Sequence, residues 1–422
     1  MKSEDLTLSL PSSQQSASFL GGAMIIAGTA IGAGMFSLPV VAAGMWTLWA
    51  CAALLFTWFC LLHSGLMILE TNLNYPVGAS FNTMVKDLLG THWNRANNLA
   101  IVFVGYILAY AYISGGSSIV VQTMDAAIGY APSLKIAGIL FSSGLAVFVW
   151  WSTKAVDRIT TIMVGGMIFT YFTSVNSLAF TINTTYLLDS GNTEPPLYFP
   201  FLFAALPFFL TSFGYHHNVP SLMKYYGKVP GKIIASLLTG TILALVFYIF
   251  WLVSILGNLP RNGFSDIIAQ GGNIGVLLSA LSHVIDSPSV FRILSAFSHM
   301  AVASSFLGVT LGLFDFISDL FNLDDSRAGR TKAAAITFIP PMVGGVFFPD
   351  GFIMAIGFAG LAATLWVAII PALMVRESRQ KFSSPHFRVW GGNVLVYLLI
   401  GYGLLSAICH LLNLFRLLPV FK

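Results

Sequence analysis

Two segments of this sequence place glycine, proline and small polar residues where the surrounding chain is almost wholly apolar. The first is Gly28-Thr29-Ala30-Ile31-Gly32-Ala33-Gly34-Met35-Phe36-Ser37-Leu38-Pro39, and the second is Pro207-Phe208-Phe209-Leu210-Thr211-Ser212-Phe213-Gly214-Tyr215-His216-His217-Asn218-Val219-Pro220. A glycine weakens a helix interior by roughly 1 kcal/mol and a proline by roughly 3 kcal/mol, so each segment predicts a helix that stops and restarts. Such a break leaves backbone N–H and C=O groups unpaired, which is tolerated at membrane depth only inside protein or beside a polar cavity. Two breaks in matching places predict a binding site between them.

The elements that carry the breaks follow from composition. The 422 residues are 56% hydrophobic and 9% charged, with a mean hydropathy of +0.82. Soluble domains carry about 25% charged residues, so the chain reads as an integral membrane protein. A net charge of +4 does not indicate nucleic-acid binding. Cys51, Cys60 and Cys409 all lie in apolar stretches and read as buried thiols, without disulfide or metal-ligand spacing. Residues 1–17 are polar and lack the basic start of a cleavable signal, so they are expected to form a disordered tail.

Apolar windows of about 20 residues predict eleven spans, at 18–45, 47–72, 98–124, 136–152, 159–182, 199–221, 232–257, 290–320, 331–349, 351–375 and 392–415. The continuous runs fit helices and not the alternating strands of an outer-membrane barrel. With the N-terminus in the cytoplasm, fifteen Lys/Arg fall inside and five outside (Lys135, Arg261, Arg292, Arg416 and Lys422). That bias satisfies the positive-inside rule and puts the C-terminus on the periplasmic side. The loop at 183–198, with Asp189 and Glu194 but no basic residue, suits the outer face. Spans one and six then run in opposite senses, five spans apart. The expected domains are an inverted repeat of residues 18–182 and 199–376, with 392–422 as an added helix and tail.

Several runs carry a family resemblance. Ile31-Gly32-Ala33-Gly34-Met35-Phe36-Ser37-Leu38-Pro39, His63-Ser64-Gly65-Leu66, Glu70-Thr71-Asn72-Leu73-Asn74-Tyr75, Ser212-Phe213-Gly214-Tyr215-His216, Val219-Pro220-Ser221-Leu222 and Ala303–Asp315 resemble the bacterial hydroxy/aromatic amino acid permeases. Trp151-Ser152-Thr153-Lys154-Ala155-Val156 and Phe387-Arg388-Val389-Trp390-Gly391-Gly392 are similar to its tryptophan-specific branch. The resemblance runs from about residue 18 to the C-terminus. It implies an all-α integral membrane protein of about 11 transmembrane helices, with a leucine-transporter-type 5+5 inverted repeat plus one extra helix. It further implies a bacterial inner-membrane location and import of tryptophan with a coupling ion, normally a proton. No cofactor is implied.

An amino acid held at membrane depth needs donors for its carboxylate and acceptors for its ammonium. The restarting half of span one, near Ala33 and Gly34, offers N–H groups and a positive dipole end to a carboxylate. Carbonyls near Thr29, Ala30 and Ile31 suit the ammonium, completed by Ser212, Phe213 and Gly214 of span six. Gly32 and Gly34 let a ligand approach the backbone, whereas Gly21 and Gly22 read as helix-packing residues. Phe209, Phe213, Tyr106 and Tyr110 are candidates for stacking on an indole, each weighed against a lipid-facing or core role. Tyr110 and Ser114 share one helical face.

Ionisable and polar groups inside the membrane are candidates for ion coupling. Ser304 and Ser305 fall mid-span in the eighth helix, where the resemblance places an ion site in sodium-driven relatives. Related proton-driven permeases place a lysine in span five, but the corresponding position here is Met167. His216, His217 and His299 are the titratable alternatives. The competing expectation for each is a neutral, hydrogen-bonded histidine. Glu70 is a gate candidate, with Lys154 or Arg158 as a possible partner. A proton is expected ahead of sodium as the coupling ion, and no metal is expected. No P-loop, filter repeat or intramembrane catalytic dyad is evident, which disfavours direct ATP drive, a channel and an enzyme.

Overall fold

The computed structural model describes residues 18–191, 197–285, 287–382 and 387–421. The tail at 1–17, Lys422 and the loop carboxylate Glu194 lie outside the described residues. No strand occurs among those described.

The chain begins with α1 (Phe19–Ala30), a short 3-10 turn (Ala33–Phe36) and α2 (Ser37–Ala42). Next come α3 (Trp46–Asn72), α4 (Phe81–Ile128), α5 (Leu134–Trp151), α6 (Thr153–Phe180) and the short α7 (Thr184–Leu188). The second half holds α8 (Phe201–Ser212), α9 (Asn218–Tyr226), α10 (Pro230–Leu256), α11 (Gly263–Ala269), α12 (Ile274–Ser282) and α13 (Pro288–Leu320). It closes with α14 (Arg327–Phe347), α15 (Phe352–Thr364), a π-turn (Leu365–Ile369), α16 (Ile370–Lys381) and α17 (Gly392–Leu414).

Eight of these helical stretches are long and apolar enough to cross a membrane, and the α1/α2 pair, bent by 47°, makes a ninth. The structure thus establishes an all-α, multi-pass membrane protein, with eight or nine spans by length and composition among the described residues, against the eleven expected. Helix α8 stops after 12 residues, because the chain breaks at Phe213 and Gly214. Helix α14 begins with Arg327, Arg330 and Lys332 and contains Pro340 and Pro341. Exposed Leu99, Ile162, Phe169 and Val394 give the bundle the apolar exterior that a bilayer requires.

Local chemistry sets the boundaries. Ser18, Ser80, Ser133 and Ser152 each cap a helix by accepting a backbone N–H. Ser152 alone separates α5 from α6. The third predicted span, 98–124, is the inner part of the much longer α4, which turns a corner at Gly90 with a φ of 85°. That left-handed conformation suits glycine, and it sets residues 81–89 apart from the membrane-crossing part. The π-turn precedes Pro371, whose missing N–H removes one helical hydrogen bond. The elements α7, α11 and α12 were not expected from hydropathy, since all are shorter than a span.

Small residues bring the helices together. A Cβ on Gly240 of α10 would stand 2.6 Å from Ala23 O of α1, so those backbones touch. The start of α1 is further fixed by Tyr226 of α9. Its hydroxyl accepts the Gly22 N–H at 2.8 Å and donates to Ser18 O at 2.7 Å. At the other end of α1, Asn218 Nδ2 of α9 donates to Thr29 Oγ1 at 2.7 Å. Helices α1 and α9, the first and last halves of the two broken spans, are therefore joined at both ends.

Candidate functional site

Both chain breaks open onto one cavity of about 730 Å³. Helix α1 ends at Ala30, and Gly32 is extended (φ −164°, ψ −157°) before the 3-10 turn. Ala33 N–H donates to Ser305 Oγ of α13 at 3.0 Å. Helix α8 ends at Ser212, and α9 begins at Asn218. Thr29, Ala30, Gly32, Ala33 and Gly34 from the first break, with Ser212, Gly214, His216 and His217 from the second, line the cavity. Ser304 and Ser305 complete this wall. The ends of two interrupted helices thus face a common space, an arrangement that brings a negative helix end and a restarting helix to one cavity.

The remaining candidates lie elsewhere. Ile31 is buried beside the break, and its N–H returns to Ala27 O at 2.7 Å. Phe209 and Phe213 are fully buried behind the wall, with Phe213 edge-on to Tyr248 at 5.2 Å. Tyr110 donates to Phe348 O at 2.7 Å, Tyr106 to Ile336 O at 2.9 Å, and Ser114 to Pro349 O. None of these three lines the cavity. Tyr112 does. Two helical steps rotate by about 200°, so choosing Tyr110 selected the opposite face of α4.

His299 stands on the far side of α13, in a separate crevice with Phe141, Phe148, Met163 and Met300, where its Nε2 lies 2.8 Å from Thr123 Oγ1. Met167 is buried on α6. His216 is buried, stacked on Tyr215 at 4.5 Å, with Nε2 3.2 Å from Leu61 O. His217 is exposed to the cavity, its ring 6.4 Å from that of Trp366. Trp366 comes from the π-turn, a recurrent feature of functional sites, and was missed in the sequence. Among the described residues, Tyr112, His216, His217 and Lys224 are the titratable side chains on the lining, with no carboxylate among them.

The two ends of the cavity differ. One end reaches Gly78, Ala79, Ser80 and Phe81 between α3 and α4, and Lys224 on α9. Beyond the breaks in the other direction, Phe36 packs against Trp251 at 5.4 Å and Phe297 at 5.5 Å, and Tyr171 meets Phe297 at 5.4 Å. Farther out, Arg261 pairs with Asp189 at 3.3 Å and donates to Ala43 O at 3.0 Å and Gly44 O at 2.7 Å. Tyr198, beside Arg261, donates to Asp189 at 3.0 Å. Burial, reinforced by that carboxylate, pushes its hydroxyl pKa up to about 12.

Glu70 is tied to Arg379 of α16, not to Lys154 or Arg158. The contact is two-armed, at 2.7 and 2.9 Å, and Val389 N–H donates to the same carboxylate at 2.7 Å. Nearby, Lys381 donates to both oxygens of Asp87 at 2.8 Å, and Tyr75 donates to Asp87 at 2.5 Å. The lysine first, and the tyrosine second, hold the Asp87 carboxyl below its ordinary range.

These features define a multi-pass membrane protein built around interrupted helices and a central cavity. The tryptophan/tyrosine permease family matches residues 15–410, and the chain belongs to that family. It is 55% identical over 405 residues to the tryptophan-specific transport protein of Pseudomonas aeruginosa, covering 96% of this chain and 97% of that protein. Its similarity to the tryptophan-specific transport protein of Shigella flexneri is 53% over 413 residues, covering 98% and 99%. A tyrosine permease of Enterobacter agglomerans is 42% identical over 406 residues, covering 96% and 98%. These relatives are named as transport proteins or permeases.

Proposed function

We propose that this protein imports tryptophan across the bacterial inner membrane by proton symport, alternating access around the two broken helices. The observation that carries this is the shared cavity, onto which the ends of both interrupted helices open. The substrate carboxylate would meet the Gly34 N–H and the Ala33 N–H, which Ser305 Oγ holds in this structure, and its ammonium would share the carbonyls of Ala30 and Ser212 with the Tyr248 hydroxyl. Trp366, Tyr112 and Leu210, all on the lining, supply surface for an indole. The names of the relatives at 53–55% identity support tryptophan over tyrosine.

The basic residues near Gly78–Phe81 and Lys224 favour that end as cytoplasmic. In that orientation the cavity opens inward, and the Phe36–Trp251–Phe297 layer with Arg261–Asp189 closes the outside. The inverted repeat of 18–182 and 199–376 accounts for both breaks facing one space. With no carboxylate among the described lining residues, His217, with buried His216 behind it, is the proton-carrying group in this reading. Ser304 and Ser305 are the corresponding groups for sodium.

Uptake of labelled tryptophan into proteoliposomes, with proton and sodium gradients imposed separately, tests the proposal. Acceleration by the proton gradient is expected. Acceleration by sodium alone would replace the ion, and indifference to both would overturn symport. In the same assay His217→Asn is expected to change the pH dependence of uptake, while His299→Asn leaves it as in the wild type. The reverse pattern would transfer the coupling role to His299.

A further inference from the structure

Tyr248, in the membrane-crossing part of α10, is fully buried. Its hydroxyl oxygen lies 2.5 Å from Ala30 O and 2.6 Å from Ser212 O. Those are the last residues of α1 and α8. At a helix C-terminus the carbonyl has lost its intrahelical partner and sits at the negative end of the dipole. Two such oxygens from different helices repel each other unless a donor stands between them. A tyrosine hydroxyl has one proton, so it can bridge both only as a shared donor, and each carbonyl keeps a second lone pair. Ala30 and Ser212 line the cavity, whereas Tyr248 does not. The hydroxyl therefore holds the pair from behind.

The tyrosine is itself anchored. Gly240, two turns earlier on α10, sets that helix against Ala23 O of α1. Ser236 Oγ donates to Phe19 O at 2.8 Å, and Phe213 packs against the Tyr248 ring. The hydroxyl is thus a fixed point to which both breaks are referred.

We propose that Tyr248 is the positioning residue for the α-ammonium of the substrate. Its hydroxyl pins the two orphan carbonyls at the spacing that lets an ammonium group donate to both from the cavity side. In the empty site the same proton keeps the pair together. This rests on the reading that the cavity takes tryptophan, and it assigns the part of the site that recognises the amino group.

The test is binding of L-tryptophan and of indole-3-propionate, which lacks the amino group, to the full-length protein in nanodiscs. Tyr248→Phe removes only the hydroxyl. Tyr171→Phe is the control, because Tyr171 is equally buried and donates to Phe247 O at 2.7 Å, a carbonyl in neither break. Tyr248→Phe is expected to weaken tryptophan at least about tenfold, because displaced carbonyls forfeit much of a hydrogen bond to the charged ammonium. Indole-3-propionate should change by less than about threefold, and Tyr171→Phe should alter either ligand by no more than that, as substitutions away from a site do. The proposal is overturned if Tyr248→Phe leaves tryptophan within that margin, or weakens both ligands alike. A wild-type protein that binds no tryptophan would instead defeat the functional reading on which the assignment rests.

Discussion

Gly32→Val is expected to abolish tryptophan uptake while leaving the protein in the membrane at wild-type levels. The backbone at Gly32 is extended and open to any residue, so the requirement comes from space. A Cβ there would collide with Ser305 Oγ, the atom that accepts the Ala33 N–H. Valine, with two further methyl groups, has to turn the Ser305 hydroxyl away from the Ala33 N–H or displace the restarting half of the first span. Displacing a binding group by about 1 Å costs on the order of 100-fold in rate, and uptake should fall at least that far. Gly32→Ala paired with Ser305→Gly removes the collision and should recover more uptake than Gly32→Ala alone. Initial rates in proteoliposomes, normalised to protein, decide it. Wild-type uptake by Gly32→Val would mean that the close approach has no role.

The largest loss of stability is expected from Glu70→Gln. Both members of the Glu70–Arg379 pair are buried, with side chains 2% and 10% exposed. The carboxylate also receives the Val389 N–H. Neutralising it leaves a buried guanidinium without its counter-charge and turns one acceptor into a donor facing other donors. Breaking a buried pair from one side costs about 3–5 kcal/mol, whereas replacing both partners by apolar residues is often close to neutral. Glu70→Gln should therefore unfold at a clearly lower temperature in detergent, and Glu70→Leu with Arg379→Met should regain much of the loss. Equal unfolding temperatures for Glu70→Gln and the wild type would show that the pair contributes little.

The parts of the fold that could be read from the chain were those with a one-dimensional signal. Hydropathy marks most spans, and Gly32, Gly34 and Gly214 mark the breaks because glycine and proline act locally. Family membership was likewise legible in the runs around those breaks. Side-chain partnership was not. Glu70 and Arg379 are 309 positions apart, and nothing local favours Arg379 over Lys154. Tyr110 and Tyr112 are both apolar-helix tyrosines, and only the packing of α4 decides which one meets the cavity. Tyr248 had no sequence signal, since its role comes from two carbonyls belonging to other helices. The π-turn that presents Trp366 was hidden because Pro371 reads equally well as a kink.

The double attachment of α1 to α9 has a mechanical consequence. Tyr226 binds the Ser18–Gly22 end, and Asn218 binds Thr29 at the break. Twelve residues of α1 and nine of α9 are thus braced at two points, so neither can swing without carrying the other. The non-helical residues beside them, Ile31 and Gly32 on one strand of chain and Phe213 to His217 on the other, interrupt the helical hydrogen bonding at one end of each helix. In the alternating access proposed above such a pair would move as one lever on two hinges, and rigid-body motion of this kind needs only a few residues to change their backbone angles. The tilt of the lever is then set by a single coordinate shared between the two halves of the chain.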